Sequence, residues 1–488
     1  MKMKITTVLV SLTFFGGLLA QPPDTLWTKV YGGQNNYGAH SILQTQDEGY
    51  IAVGYTSDQS GNNDEIYIMR TNSFGDSLWT KTYGGNKDEL VFSIMPTSDN
   101  RYIIAGYSNS YLYDDDDDII ILKINSNGDT LWTKTYGDSV IERSRFARET
   151  SDGGIIIVGY KESLVNNNDY DVYLIRTNNN GDTLWTKTIG GNSRDLGVTI
   201  LQLSDGGYII LGATESFGEG GWDVYLIRIN SLGDTLWTKT YGGPNYEEGY
   251  AIQQTSDGGF VISGNTDSYG VGNLDFYLIK TNSNGDTLWT KTYGGSNDDI
   301  GFDVKTTQDK GYAIIGFSNS FSTGDYDVYL IKTDSSGNTL WTQTYGWQGD
   351  ERAYEIQLTA DNGYIIPATT ESFFSGRDAI YLVRIQSDLT NMEDKFNDFQ
   401  ISSFYVYQNF PNPFNPMTRI QYATGSRQFV RLRVYDLLGK EISTLVNQEK
   451  PAGAYTVEFD ASNLSSGIYF YQLQAGDFTE TKKMILMR

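Results

Sequence analysis

The sequence predicts an all-β protein, and three observations carry that expectation. The block GDTLWTKTYGG stands letter for letter at 233–243 and 285–295, and in near-copies five more times. The tryptophans of its LW pairs, Trp27, Trp79, Trp132, Trp185, Trp237, Trp289 and Trp341, are spaced 52, 53, 53, 52, 52 and 52 residues apart. The composition holds 53 glycines, 9 prolines and 14% aromatic residues, a turn-rich globular profile. A fixed period near 50 residues signals a propeller, a solenoid or an array.

The first element is a leader. MKMKITTVLVSLTFFGGLLAQPP puts Lys2 and Lys4 before an apolar run that closes on Ala20, the layout of a secretory signal peptide over 1–20. The run is short for a membrane anchor, and no later segment could span a bilayer as a helix. No transmembrane segment is therefore expected once the leader is cleaved.

The repeats follow over 21–386. One period, 249–295, contains four strand-like runs: YAIQQT, FVISGN, FYLIKT and LWTKTY. SDGG between the first two supplies the Asp-Gly chemistry of a tight hairpin. The middle runs are almost continuously apolar, as strands covered on both faces are. The fourth alternates, and its Lys and Thr suit an outer edge strand. Four short strands per unit and seven units predict a seven-bladed β-propeller. The region opens with a lone fourth strand at 24–31 and ends at 355–385 with strands one to three only. The N-terminal strand should therefore complete the last blade and close the ring. Leu and Trp of each LW pair are expected to pack the blade, with GG as the bend to the next.

These repeats resemble the bacterial seven-bladed propeller repeats typified by W…GG…D…I..D..G..Y..G. They are also similar to quinoprotein-type propellers, whose blades carry DxxGxxLW. The resemblance covers roughly 24–386. It implies the fold and leaves function open, because such folds host enzymes and binders alike.

At 386 the rhythm stops. Residues 387–403 read as a polar linker, and 404–488 as a small Ig-like β-sandwich. In VRLRVY, Val430, Leu432 and Val434 alternate with Arg431 and Arg433, the pattern of a half-buried strand. The stretches QNFPNPFNP (408–416), VYDLLGKEI (434–442), LSSGIYFYQL (464–473) and KKMILMR (482–488) resemble the type A C-terminal sorting domain of the type IX secretion system. Pro411, Asn412, Pro413, Phe414, Gly467, Tyr469 and Lys483 match its signature. The resemblance implies the type IX translocon as a partner. It also implies a secreted or outer-membrane cell-surface location.

Charge and chemistry narrow the rest. Net charge is −24, yet 404–488 holds nine Lys/Arg against seven Asp/Glu, so the acidity belongs to the repeats. Such a surface argues against nucleic acid or anionic lipid as a partner. There is no cysteine, and His40 is the single histidine. Thiolate and His-rich metal sites are excluded, as are most nucleophile–base pairs. No cofactor is expected.

Carboxylates remain. One set precedes strand three: Glu65, Asp118, Asp171, Asp223, Asp275 and Asp327. A second follows the GG bend: Glu89, Asp195, Glu248, Asp299 and Glu351. This second set could line a mouth of the central channel. The run Asp114, Asp115, Asp116, Asp117 and Asp118 breaks the blade symmetry and is the weak candidate for a calcium contact. It lacks the alternation of an EF-hand.

Near-identical blades with varied loops favour a non-catalytic binding or scaffold protein contacting a glycan or a surface protein. The alternative is a carboxylate-based extracellular glycan hydrolase or lyase. A third reading, a quinoprotein-like oxidoreductase, rests on the blade motif alone. Evenly spaced acids bonded to amides would favour the scaffold. Carboxylates gathered in one asymmetric pocket would favour the enzyme.

Overall fold

The computed structural model describes residues 22–58, 63–110, 116–163, 169–374, 376–388, 404–406, 409, 414, 416–451, 453–476 and 478–486. The leader, 389–403, Asp114, Asp115 and Pro411–Pro413 lie outside the described residues.

Among the described residues every element is a strand. Six antiparallel four-stranded sheets follow one another along the chain, each in the order one-two-three-four. Blade 1 is Asn36–Gln44, Tyr50–Ser57, Glu65–Thr71 and Ser77–Tyr83, and blades 2 to 6 repeat it through Tyr345. In blade 7, strand one is broken into Glu351–Ala353 and Gln357–Leu358. Strand two is Tyr364–Phe374 and strand three Arg377–Ile385. Its fourth strand is Thr25–Tyr31, which pairs antiparallel with Arg377–Ile385, Val30 opposite Tyr381. Blade 7 then packs on blade 1: Arg384 Nε donates to Tyr50 Oη at 2.9 Å, and the Ala360 amide to Gln44 Oε1 at 2.8 Å. The ring closes through the first strand, as the offset of the repeats predicts.

The middle strands are apolar because both their faces are covered. Ile103, Ala105, Ile119 and Ile121 of blade 2 pack against Ala147, Ile155 and Ile157 of blade 3, all at most 2% exposed. Each of these isoleucines contributes about 1.5–3 kcal/mol of apolar burial.

The tryptophans of the LW strands pack on the hydrophobic core between blades, and most of their leucines do not. Period-two alternation sends Trp, Lys and Tyr to one face and Leu to the other. Leu78, Leu184, Leu236 and Leu288 are therefore 57%, 59%, 56% and 56% exposed. The Trp-Lys-Tyr face grips the strand 3–4 turn of the next blade. Lys239 Nζ pairs with Asp286 at 2.9 Å, and Tyr241 Oη donates to the Gly285 carbonyl at 2.6 Å. A Cβ on Gly285, at φ +78°, would come 2.9 Å from the Trp237 ring. The lysine recurs as Lys29, Lys81, Lys134, Lys187 and Lys291, on Asp76, Asp129, Asp182, Asp234 and Asn338. Strand four of blade 6 carries Gln343 instead. The next blade, blade 7, takes its fourth strand from Thr25–Tyr31, and Asp24 stands just before that strand as Asp76 and Asp286 stand before theirs, its carbonyl accepting the Gln386 amide at 2.9 Å.

Within each blade a strand-three base is buried on the Asp of the strand 1–2 turn. Arg70, Lys123, Arg176, Arg228, Lys280, Lys332 and Arg384 meet Asp47, Asp99, Asp152, Asp205, Asp257, Asp309 and Asp361.

The C-terminal residues form two antiparallel sheets. One is Tyr405–Val406, Met417–Thr424 and Gly453–Asp460. The other runs Glu441–Lys450, Gln428–Tyr435, Gly467–Ala475 and Phe478–Leu486. Val430, Leu432 and Val434 lie in its core with Ile420, Tyr471 and Met484.

Candidate functional site

The first strands of neighbouring blades touch one another, so they surround the axis. In blades 1 to 6 the ladder between strands one and two slips by one residue. The slip leaves out His40, Phe92, Arg145, Val198, Tyr250 and Phe302. Tyr354 holds the corresponding place at the break in blade 7. A bulge re-aims one side chain out of the ladder.

Here the re-aimed residues meet across blade boundaries. Ring centroids are 5.4 Å apart for His40–Phe92 and 5.6 Å for His40–Tyr354. They are 4.9 Å apart for Phe302–Tyr354 and 4.6 Å for Tyr250–Phe302. The Arg145 guanidinium lies 4.6 Å from the Phe92 ring. A collar of five aromatic rings (His40 included), one arginine and one valine thus surrounds the channel. Burial lowers the pKa of His40, so at neutral pH it is an uncharged member of the collar.

Below the collar the next residue of some blades serves the backbone. Ser41 Oγ accepts the Ile94 amide at 3.2 Å, Asp303 the Ile356 amide at 3.0 Å, and Glu355 the Ile42 amide at 2.9 Å. These bonds satisfy buried N–H groups. Lys305 neutralises Asp303 at 2.8 Å.

Toward the mouth, charged groups are paired on aromatic faces. Arg143 lies 4.4 Å over Tyr107 and donates to Asp117 at 2.7 Å. Arg352 pairs with Asp350, 5.4 Å from the Tyr326 ring, while Tyr326 Oη donates to Asp298 at 3.1 Å. Tyr250 Oη donates to Glu248, and Tyr55 Oη to Asp378 at 3.0 Å. A cleft of about 90 Å³ between blades 7 and 1 is lined by His40, Tyr55, Tyr354, Arg352 and three carboxylates, Asp350, Glu371 and Asp378. A larger gap of about 310 Å³ between blades 2 and 3 is lined by Asp99, Arg101, Lys123, Trp132 and Glu149. Its polar groups are largely consumed: Asp99 by Arg101 and Lys123, Glu149 by the Ser98 amide.

The two repeated acid sets lie elsewhere. Glu89, Glu142, Asp195, Glu247, Asp299 and Glu351 are fully buried, so they do not line the mouth as expected. In blade 5 the buried acid is Glu247, which pairs with Thr266 across the ladder; its neighbour Glu248 takes the mouth position. Each buried acid accepts an amide of its own bend: Gly85 to Glu89 at 2.8 Å, Gly191 to Asp195 at 2.7 Å, Gly295 to Asp299 at 2.7 Å. The strand-three acid sits beside it. A Cβ on Gly294 would fall 1.6 Å from Asp275 Oδ1, and one on Gly295 would fall 2.7 Å from Ser320 Cβ. Both glycines of GG are required by close approach. Burial raises Asp223 and Asp275 to about 6, with Glu247 and Asp299 adding like charge.

Of the aspartate run, Asp117 accepts Arg143 and Asp118 opens a strand, buried. No group of three metal-ligating side chains occurs among the described residues. In the sandwich, Phe414 is buried and bridges to Leu486, and its amide donates to the Ile485 carbonyl at 2.9 Å. Tyr469 Oη donates to the Ser465 carbonyl at 2.8 Å. Gly467 opens its strand and pairs with Leu486; Lys483 pairs with Phe470.

Comparison with known proteins bears on both parts. Residues 408–487 match the family described as Secretion system C-terminal sorting domain. The segment is a type IX sorting domain. It marks the protein for export by the type IX system to the cell surface or the extracellular space. Residues 97–130 match the domain of unknown function (DUF5122) beta-propeller. No curated protein matches the chain.

Among solved structures, similarity extends to PorZ, a surface component of the type IX secretion system of Porphyromonas gingivalis. The identity is 10% and the TM-score 0.43, over 94% of this chain and 60% of that one. A puromycin hydrolase gives 10% identity and a TM-score of 0.45, over 84% of this chain and 62% of that one. An endo-arabinase of Bacteroides thetaiotaomicron gives 15% and 0.30, over 53% and 96%. The chain spans about 60% of the length of the first two. Among the described residues no helix is long and apolar enough to cross a membrane.

Proposed function

We propose that the exported propeller is a binding protein that engages a glycan at the collared end of its channel. The observation that carries this reading is the bulge position itself. Strands two to four and their hairpin turns largely repeat from blade to blade, whereas the first strand varies, and at its bulge it reads His40, Phe92, Arg145, Val198, Tyr250, Phe302 and Tyr354. A purely structural ring would have no need to vary there. Aromatic rings offer flat apolar faces to the C–H faces of sugars, and tyrosine adds a polar edge. Arginine–carboxylate pairs around the mouth offer donors and acceptors for hydroxyl groups. The buried repeated acids, evenly placed and amide-bonded, support a scaffold role for the blades. The type IX sorting domain supports display or release outside the cell, where glycans are met.

A glycan array probed with the exported chain tests the reading, together with a Phe302→Ala/Tyr354→Ala variant of unchanged circular dichroism. Binding that falls at least tenfold in the variant is the expected result. Equal binding by both would move the site away from the channel.

A second reading has its own observation: Asp350, Glu371 and Asp378 share one asymmetric cleft. Burial, reinforced by Asp350, raises the Glu371 pKa, as an acid catalyst of glycoside cleavage would need. Release of reducing ends from a bound glycan, abolished by Glu371→Gln, would favour this hydrolase reading.

A further inference from the structure

Blade 3 departs from the others in one respect. Its first strand, Glu142–Glu149, carries Arg143, Arg145 and Arg148. At the Arg145 position the remaining blades have the five aromatic rings and Val198. At the Arg148 position they have Leu43, Met95, Leu201, Gln253, Lys305 and Gln357. Two of the three bases are explained by contacts. Arg143 is held by Asp117. Arg148 Nη1 donates to the Ile200 carbonyl of blade 4 at 3.4 Å.

Arg145 is different. Its guanidinium faces the rings of Phe92 at 4.6 Å and Tyr160 at 5.9 Å. Its charge acts on His40 of blade 1 and on Tyr250 of blade 5, which places it toward the axis between them. Among the described residues no carboxylate lies within ion-pair distance of it. The protein has a large excess of acid, and Lys305, Arg143 and Arg352 each have a carboxylate of their own. One half-buried guanidinium in an aromatic collar is left with its planar fork of donors uncommitted. Rings cover part of its face, and they compete with none of those in-plane donors.

Resting on the glycan reading above, we infer that Arg145 receives the carboxylate of an acidic sugar, a uronic-acid residue whose ring stacks on the collar. A guanidinium binds a carboxylate through two parallel N–H···O bonds, a geometry that a sugar hydroxyl cannot reproduce. The low polarity of the surrounding rings strengthens such a pair. The acidity of the rest of the molecule disfavours a dense polyanion. It acts less on one carboxylate seated in the collar, because exposed charges more than about 8 Å away are screened at physiological salt. The chemistry therefore points to a glycan with a uronate at the recognised position, not to a highly sulfated chain.

Titration calorimetry of the exported chain tests this with three probes: trigalacturonate, its methyl ester and a sulfated heparin trisaccharide. The ester keeps the sugar and removes the charge. The expected result is binding of trigalacturonate at least tenfold tighter than of the ester, with the sulfated probe weaker. The difference should collapse in Arg145→Gln and be partly kept in Arg145→Lys. Unchanged far-ultraviolet dichroism and melting temperature would show both variants folded. Equal affinity for acid and ester would overturn the inference and leave the glycan reading standing. Preference for the sulfated probe would overturn the uronate assignment. An acid preference that survives Arg145→Gln would place the carboxylate elsewhere. Absence of binding to all three probes would overturn the inference, and a blank glycan array beside it would remove the wider reading too.

Discussion

Asp275 carries a charge that the fold does not welcome. It lies 1% exposed against Gly294, and Oδ1 has no hydrogen-bond partner. Burial first, and the charge of Asp299 beside it, raise its pKa to about 6; Asp223 in blade 4 is raised to the same value. In the unfolded chain such a group titrates near 3.9. Between about pH 4 and 6 the folded state therefore holds protons that the unfolded state has released. Stability rises as pH falls through 6 and levels off near 4. Groups shifted the other way, such as Asp257 at about 2 beside Thr255 and Lys280, lose their contribution only at lower pH. We expect the melting temperature to be higher at pH 5 than at pH 7.5. Asp275→Asn should raise it at pH 7.5 and flatten the slope. A melting temperature that falls steadily from pH 7.5 to 5 would contradict the assignment. None of this was legible from composition. The repeated acids could be counted, but in blade 5 only the ladder distinguishes buried Glu247 from Glu248 at the mouth.

At the scale of elements, the strand-to-strand joints carry the specificity. The strand pattern, the hairpin turns and the GG bend could all be read from one period, because alternation and Asp-Gly chemistry are local. What the Trp-Lys-Tyr face grips could not be read, because its partner turn lies nearly a full period away. The leucines of blades 1 to 5 were misassigned for the same reason, whereas Leu340 of blade 6 packs on the core. Gln343 is the exception to the lysine pattern, since blade 7 has Asp24 at the equivalent place. The bend itself is testable. In Gly294→Ala a methyl group would enter space held by Asp275 and Asp299. We expect destabilisation by about 3 kcal/mol, the upper end for overpacking, measured by urea unfolding. A loss under about 0.5 kcal/mol, that of an ordinary surface change, would mean that the bend has room to spare.

At the scale of the molecule, symmetry and its breaks divide the labour. Seven equivalent blades make a rigid ring, and the ring brings seven bulge residues together that lie 52 or 53 residues apart in the chain. Aligning the periods on their tryptophans brings His40, Phe92, Arg145, Val198, Tyr250, Phe302 and Tyr354 into one column. The signal for the collar was therefore present in the sequence, as the aromatic-rich column among the varying first-strand columns; the repeated columns describe the scaffold. The sandwich was legible through alternation in VRLRVY. Its sorting role was legible only through resemblance, since export is a property of the partner that reads it. The collar exists as described only if the ring is closed by its first strand. Hydrogen exchange read by mass spectrometry tests that closure directly. The ladder-facing amides of Thr25–Tyr31, alternate residues of this edge strand, should be protected for hours alongside those of Arg377–Ile385. Exchange of those Thr25–Tyr31 amides within seconds, with Arg377–Ile385 still protected, would contradict the closed ring.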